Sequence, residues 1–210
     1  MFEKILSVPR SLILCIILFG LREGIKLPIL FHYTTKINIK NSNIVTNINF
    51  GRVLFGFGGS AGVISPKKSF FSIKNATVHF NGKANFSQGC SLRIDKGEAH
   101  FGKDFFLNKN GLIYFNGSLY IGDSVILGWN VQILSGEEHF IVKETSSLIP
   151  SMKIKNNIWI ASNVILLNGT TINSNSVVAT GAVCNKKYQK NSLIGGIPAV
   201  EKKYNITWKK

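Results

Sequence analysis

A chain of 210 residues, 45% of them hydrophobic, has room for one well-filled core with appendages and leaves little for a second domain. Its 25 Lys and Arg against 10 Asp and Glu give a formal charge of +15, which favours an anionic partner such as a membrane surface, a phosphorylated cofactor or an acidic glycan. Nucleic acid is not expected, because arginine is scarce, the basic residues are scattered, and no Arg-rich or aromatic-basic module is present.

Residues 1–30 hold an unbroken apolar run, Leu12 to Phe19, between Pro9-Arg10 and Gly20-Leu21-Arg22-Glu23. The run falls short of the roughly 20 residues a bilayer demands, and no small-residue cleavage site follows it. A helix is expected that caps the end of the next domain, or lies at a membrane interface with Lys4, Arg10, Arg22 and Lys26 toward the headgroups. From Ile37 to Phe101, short alternations such as Ile37-Asn-Ile39, Phe71-Ser-Ile73 and Val78-His-Phe80 read as strands between Gly and Asn turns. The cluster from Gly51 to Gly62 with Pro66 reads as a loop, and without a following Gly-Lys-Ser/Thr it is no phosphate cradle.

A six-residue beat of aliphatic side chains then begins: Ile121, Leu127 and Ile133, resuming at Ile160, Leu166, Ile172 and Val178. Four residues after beat positions come Val125, Val131, Val164, Thr170, Ser176 and Ala182. A period of six fits neither the 3.6 of a helix nor the 2 of a half-buried strand, so it marks an internal structural repeat. The pattern is that of an all-β hexapeptide solenoid, in which each unit is a short strand and a corner and the aliphatic residue points down the axis. Gly128-Trp129-Asn130, Asn163, Asn168-Gly169, Asn173-Ser174-Asn175 and Thr180-Gly181 supply corners where the backbone can take positive φ; Gly122-Asp123 is expected to do the same. The solenoid domain is expected over 31–183, interrupted by an excursion at 134–157, with a C-terminal tail at 184–210 that caps or crosses the coil.

The excursion carries the chemistry. In Ser135-Gly-Glu137-Glu-His139-Phe-Ile141 a histidine and carboxylates share a loop thrown out from a rigid scaffold. His139 can take a proton from a hydroxyl near neutral pH, and Glu137 can hold its other ring nitrogen. His32, His79, His100 and His139 show no close pairing in sequence, so no metal is expected. The cysteines, Cys15, Cys90 and Cys184, lie far apart and read as reduced core thiols of a cytoplasmic protein. None is paired with a base in a nucleophile motif, so no acyl-enzyme is expected.

Ile25-Lys-Leu-Pro28, Ile121-Gly-Asp123, Gly128-Trp-Asn130, Asn157-Ile-Trp159-Ile-Ala161 and Gly195-Gly-Ile-Pro198-Ala199, taken with the histidine loop, resemble the hexapeptide-repeat O-acetyltransferases. That group includes the galactoside and maltose acetyltransferases, and the resemblance is strongest to its capsule and lipopolysaccharide branch. It implies a left-handed parallel β-helix assembled as a homotrimer, with acetyl-CoA as co-substrate in the groove between subunits and a sugar or glycan as acceptor. By position, His139 matches the general base and Trp159 the tryptophan beside it. Ser162, Thr180, Asn185, Lys186 and Lys203 match acyl-CoA contacts, and Asn108 and Trp129 acceptor contacts. The chain departs from the branch's Asp-x-Asp-x-His pattern, with Ser135 and Glu137 in place of the aspartates, and carries Val200 where a basic CoA contact often lies. A non-catalytic solenoid that serves as a binding scaffold is the alternative reading. Residues 1–26 and the +15 charge leave open a second alternative, a cytoplasmic enzyme held peripherally at the inner face of the membrane near lipid-linked glycan precursors.

Overall fold

The computed structural model describes residues 2–47, 49, 51–135 and 150–209. His139 and Glu137 lie outside the described residues. The chain is mostly β, and its strands form three parallel stacks that it visits in rotation. The first stack runs Ile29–Phe31, Val53–Phe55, Ala84–Phe86, Phe105–Leu107, Val125–Leu127, Ile158–Ile160, Val177–Val178 and Leu193–Gly196, closed by the antiparallel Ala199–Lys203. The second begins with Lys36–Lys40 and Phe70–Lys74 and ends with Gln132–Leu134, Ile165–Leu166 and Val183–Cys184. The third begins with Asn43–Thr46 and Ala76–Phe80 and ends with Ser151–Ile154, Thr171–Ile172 and Lys187–Tyr188.

The long strands Ser91–Phe101 and Leu112–Ile121 bend between the second and third stacks and serve both. The bend passes through Gly97 (φ 92°) and Gly117 (φ 133°), one above the other; a Cβ on Gly97 would stand 2.2 Å from the Gly117 carbonyl oxygen. Only glycine lets two backbones stack so closely there.

The aliphatic beat fills the interior as the sequence predicts. Ile121, Leu127, Ile133, Ile160, Leu166, Ile172 and Val178 are all fully buried, and the second run advances one circuit of the chain per three beats, in the register Ile160↔Val178 and Leu166↔Cys184. The polar companions are buried too, with partners: Thr170 Oγ1 donates to the Cys184 carbonyl at 2.9 Å and Ser176 Oγ to that of Gln189 at 3.2 Å. In the N-terminal half the core is aromatic. Phe55 meets Phe71 edge-on with centroids 5.1 Å apart, and Phe31 meets Phe71 at 5.0 Å. Positive φ falls on Asn130, Asn163, Gly169, Asn175 and Gly181 as expected, but in the first run on Ser124 and not on Gly122-Asp123.

The N-terminal helix, Phe2–Gly24, closes the open end. Ser7, Ser11 and Cys15 line its inner face, four residues apart. Four helical residues advance about 6 Å and two strand residues about 6.6 Å, so this stripe keeps step with Tyr33, Phe31 and Ile29. Phe31 N–H donates to Ser11 Oγ at 3.0 Å, Tyr33 N–H to Ser7 Oγ at 3.0 Å, and the Cys15 thiol to the Ile29 carbonyl at 3.3 Å. The helix thereby satisfies the edge of the first strand, which has no strand before it. Ile5, Ile13, Ile17 and Leu21 face outward, while Leu14 and Phe19 pack against the core.

This corrects the length read from the apolar run alone, because by length and composition the helix is sufficient to cross a membrane. A break at Gly20 (φ 74°, ψ 169°) ends its straight part, and the chain folds back until a Cβ on Gly24 would lie 2.5 Å from Ile16 Cα.

Candidate active site

Stacked circuits bring together residues that sequence keeps far apart. Along the outward side of the first stack, register aligns Phe106, Ile126, Trp159, Val177, Leu193 and Lys203. Trp159 is 44% exposed between Ile126 and Val177. Trp208 folds back toward it, with ring centroids 6.3 Å apart, anchored by its Nε1–H donating to the Asn157 carbonyl at 3.2 Å.

The corner that follows this stack carries Trp129, Ser162 and Thr180. Asn163 N–H donates to the Trp129 carbonyl and Gly181 N–H to that of Ser162, which fixes their alignment. Ser162 Oγ accepts from Trp129 N–H at 3.1 Å, and a Cβ on Gly128 would stand 2.7 Å from that oxygen, so the two turns touch. The Trp129 indole N–H is buried without a partner among the described residues, and its ring packs where a Cβ on Gly62 would fall.

Asn108 sits at the same corner, only 7% exposed, with its amide engaged by the glycine-rich loop. Its Oδ1 accepts from Ser60 N–H at 3.1 Å and from Lys109 N–H at 2.9 Å, and its Nδ2 donates to Ser60 Oγ at 3.0 Å. Asn110 Oδ1 accepts from Ser65 Oγ at 2.5 Å and Lys109 Nζ donates to the Val63 carbonyl, so three consecutive residues clamp the loop over the corner. Ser60 carries no motif; its part is visible only once the loop is folded.

Asn185 and Lys186 lie at a different corner, after the second stack. Both are exposed, and Asn185 N–H donates to Tyr188 Oη at 3.3 Å. The chain leaves for the histidine excursion at this same corner. Ser135 is anchored there by accepting from Asn116 N–H at 2.9 Å, and on the return Ser151 N–H donates to Asn168 Oδ1 at 3.0 Å. The candidate residues therefore fall into two groups on one molecule: Trp159, Lys203, Trp129, Ser162, Thr180 and Asn108 on and beside the first stack, and Asn185, Lys186 and the roots of the histidine loop at the next corner. Burial pushes the Cys90 thiol up to about 12 and that of Cys184 to about 11, which leaves both protonated and poor nucleophiles.

No protein-family model matches the chain. A protein of Schizosaccharomyces pombe named as an acetyltransferase is 39% identical over 112 residues, 51% of this chain and 54% of its own length. The galactoside O-acetyltransferase of Escherichia coli is 32% identical over 102 residues, 47% of this chain and 50% of its own. The chain thus spans about half the length of the curated relatives it matches. The crystal structure of the polySia specific acetyltransferase NeuO shares the fold, with a TM-score of 0.54 and 18% identity over 86% of this chain and 82% of that one. Over about half its length the chain is thus similar to proteins named as acetyltransferases, one of them a galactoside O-acetyltransferase.

Proposed function

We propose that this protein is an O-acetyltransferase that moves the acetyl group of acetyl-CoA to a sugar hydroxyl in a surface polysaccharide: capsule, exopolysaccharide or lipopolysaccharide. The three stacks, from Ile29–Phe31 through Leu193–Gly196, form a left-handed parallel β-helix that runs past the boundary of 183 expected from the six-residue beat, with the helix Phe2–Gly24 as its cap and the chain after Gly196 as its tail. Three copies assemble into a homotrimer. The observation that carries the reading is the split of candidate residues between two corners of one chain. A pantetheine arm lying between neighbouring subunits would meet the Trp159 column on one copy and the Asn185 corner, with its histidine loop, on the next.

His139 accepts the proton of the acceptor hydroxyl as its oxygen attacks the thioester carbonyl, with Glu137 orienting the ring. The tetrahedral oxyanion collapses, the carbon–sulfur bond breaks, and the imidazolium returns the proton to the leaving CoA thiolate. Trp129 offers its outer face to the sugar, while Asn108 acts through the loop that it clamps. The exposed apolar side of the N-terminal helix supports a further element, contact with the inner face of the membrane through Ile13 and Ile17.

Calorimetry with acetyl-CoA and CoA, alongside light scattering, tests the reading: binding to a species of about three chains is expected, followed by transfer to an acceptor sugar. The His139→Ala variant should lose at least about a hundredfold in turnover and keep its mass, on the scale that general-base removal shows. Transfer at the wild-type rate would reject His139 as the base. A folded protein that ignores CoA would favour a non-catalytic scaffold.

A further inference from the structure

Parallel register sets His79 directly opposite His100 on the outward side of the third stack. Their rings stack with centroids 4.3 Å apart and planes 6° from parallel. Glu98, two residues before His100, projects from the same side of the strand, because strand side chains alternate with a period of two. Its Oε1 lies 2.9 Å from the Nε2 of each histidine. Two imidazoles and a carboxylate thus offer three ligand atoms, all within 4.8 Å of one another. Sequence spacing concealed the pairing, since the two histidines meet only through the strand register.

We propose that His79, His100 and Glu98 form a binding site for a divalent transition-metal ion of the zinc class. Imidazole nitrogen and carboxylate oxygen are the donors such ions prefer, and three of them with an open fourth position make an accessible site. A tetrahedral shell with bonds of about 2.0–2.1 Å needs ligand atoms about 3.3 Å apart, close to the present separation of each nitrogen from the carboxylate oxygen. The side chains are 25%, 51% and 32% exposed for His79, Glu98 and His100, so both rings have room to tilt toward each other and the fourth position opens to water. To bind the metal, each ring would carry its proton on Nδ1, so that Nε2 presents a lone pair to the ion in place of an N–H aimed at Glu98. The neighbours in register are Val45 beside His79 and Tyr120 beside His100. The ion would bridge Ala76–Phe80 and Ser91–Phe101, which makes it a clip between circuits and not a participant in acetyl transfer.

The test is calorimetric titration with zinc chloride of the full-length protein, free of a polyhistidine tag and stripped with chelator. One saturable site per chain in the micromolar range is expected, weakened at least tenfold in His100→Gln and in Glu98→Gln. Zinc should also raise the melting midpoint of the wild type and leave that of each variant unmoved. Circular dichroism in chelator establishes that the variants are folded, and His79→Gln gives the same readout if either of the others is not. A wild-type chain that does not saturate with zinc, or a folded variant that binds as tightly as the wild type, overturns the proposal.

Discussion

Cys90 sits inside the coil with its thiol 3.1 Å from the carbonyl oxygen of Asn108, directly beneath the corner that the glycine-rich loop covers. Burial pushes its pKa up to about 12, that of Cys184 to about 11 and that of Tyr188 to about 12. In each case the folded chain favours the neutral form, so the stabilisation is complete below the ordinary value, 9.0 for the thiols and 10.0 for the phenol, and is lost as pH rises toward the folded values. Each pH unit over which a thiol is ionised in the unfolded chain and neutral in the folded one costs about 1.4 kcal/mol. Denaturant midpoints should accordingly fall between about pH 9 and pH 11. Near pH 8, a thiol reagent such as dithionitrobenzoate should label none of Cys15, Cys90 and Cys184 until guanidinium is added. Rapid labelling of the folded protein would mean that at least one of these thiols opens to solvent in a low-energy fluctuation.

The N-terminal helix illustrates an element whose sequence signal and packing run in opposite senses. A surface helix normally turns its large apolar residues to the core, yet here Ser7, Ser11 and Cys15 face inward because what they cover is a strand edge that needs hydrogen bonds. The Ser11 hydroxyl accepts from Phe31 N–H and donates to Phe31 O, and both ends are buried. Replacing Ser11 with Ala leaves that pair unsatisfied, and unfolding in urea should show a loss of about 1–3 kcal/mol. A loss of a few tenths would mean that water reaches the strand edge. The apolar run announced a helix, but not its inward stripe, its break at Gly20 or its full length. By contrast, the beat from Ile121 to Val178 was legible because one residue type recurs at the repeat length itself. The first circuits were harder to read because their interior is filled by phenylalanines separated by loops of uneven length, the longest running from Phe55 to Phe70.

At the scale of the whole molecule, the proposed function rests on columns that run across the circuits, and these are set by register, which local sequence does not encode. Trp159 and Lys203 align through Val177 and Leu193, and His79 meets His100 by the same rule; the sequence offered each residue type but not its neighbours. The resemblance supplied the roles, while only the folded chain separates the Trp159 column from the Asn185 corner and shows Asn108 already engaged by Ser60. Oligomer symmetry carries this reasoning one step further. In a cyclic trimer whose coil axes run parallel to the threefold, the capped ends point the same way, so the proposed assembly would present three outward helix faces, bearing Ile13 and Ile17, to a single flat surface. Burying each isoleucine in a bilayer contributes about 1.5–3 kcal/mol, the net charge of +15 adds attraction to anionic lipid, and three linked contacts gain by avidity. The wild type should float with phosphatidylglycerol vesicles, less so as salt is raised, and hardly at all with phosphatidylcholine alone. Ile13→Lys combined with Ile17→Lys alters only exposed positions, so it should preserve the circular dichroism and the mass while reducing flotation at least tenfold. If that variant floats as well as the wild type, basic residues elsewhere hold the protein to the membrane and the helix is only a cap; if neither protein floats, the membrane contact is rejected.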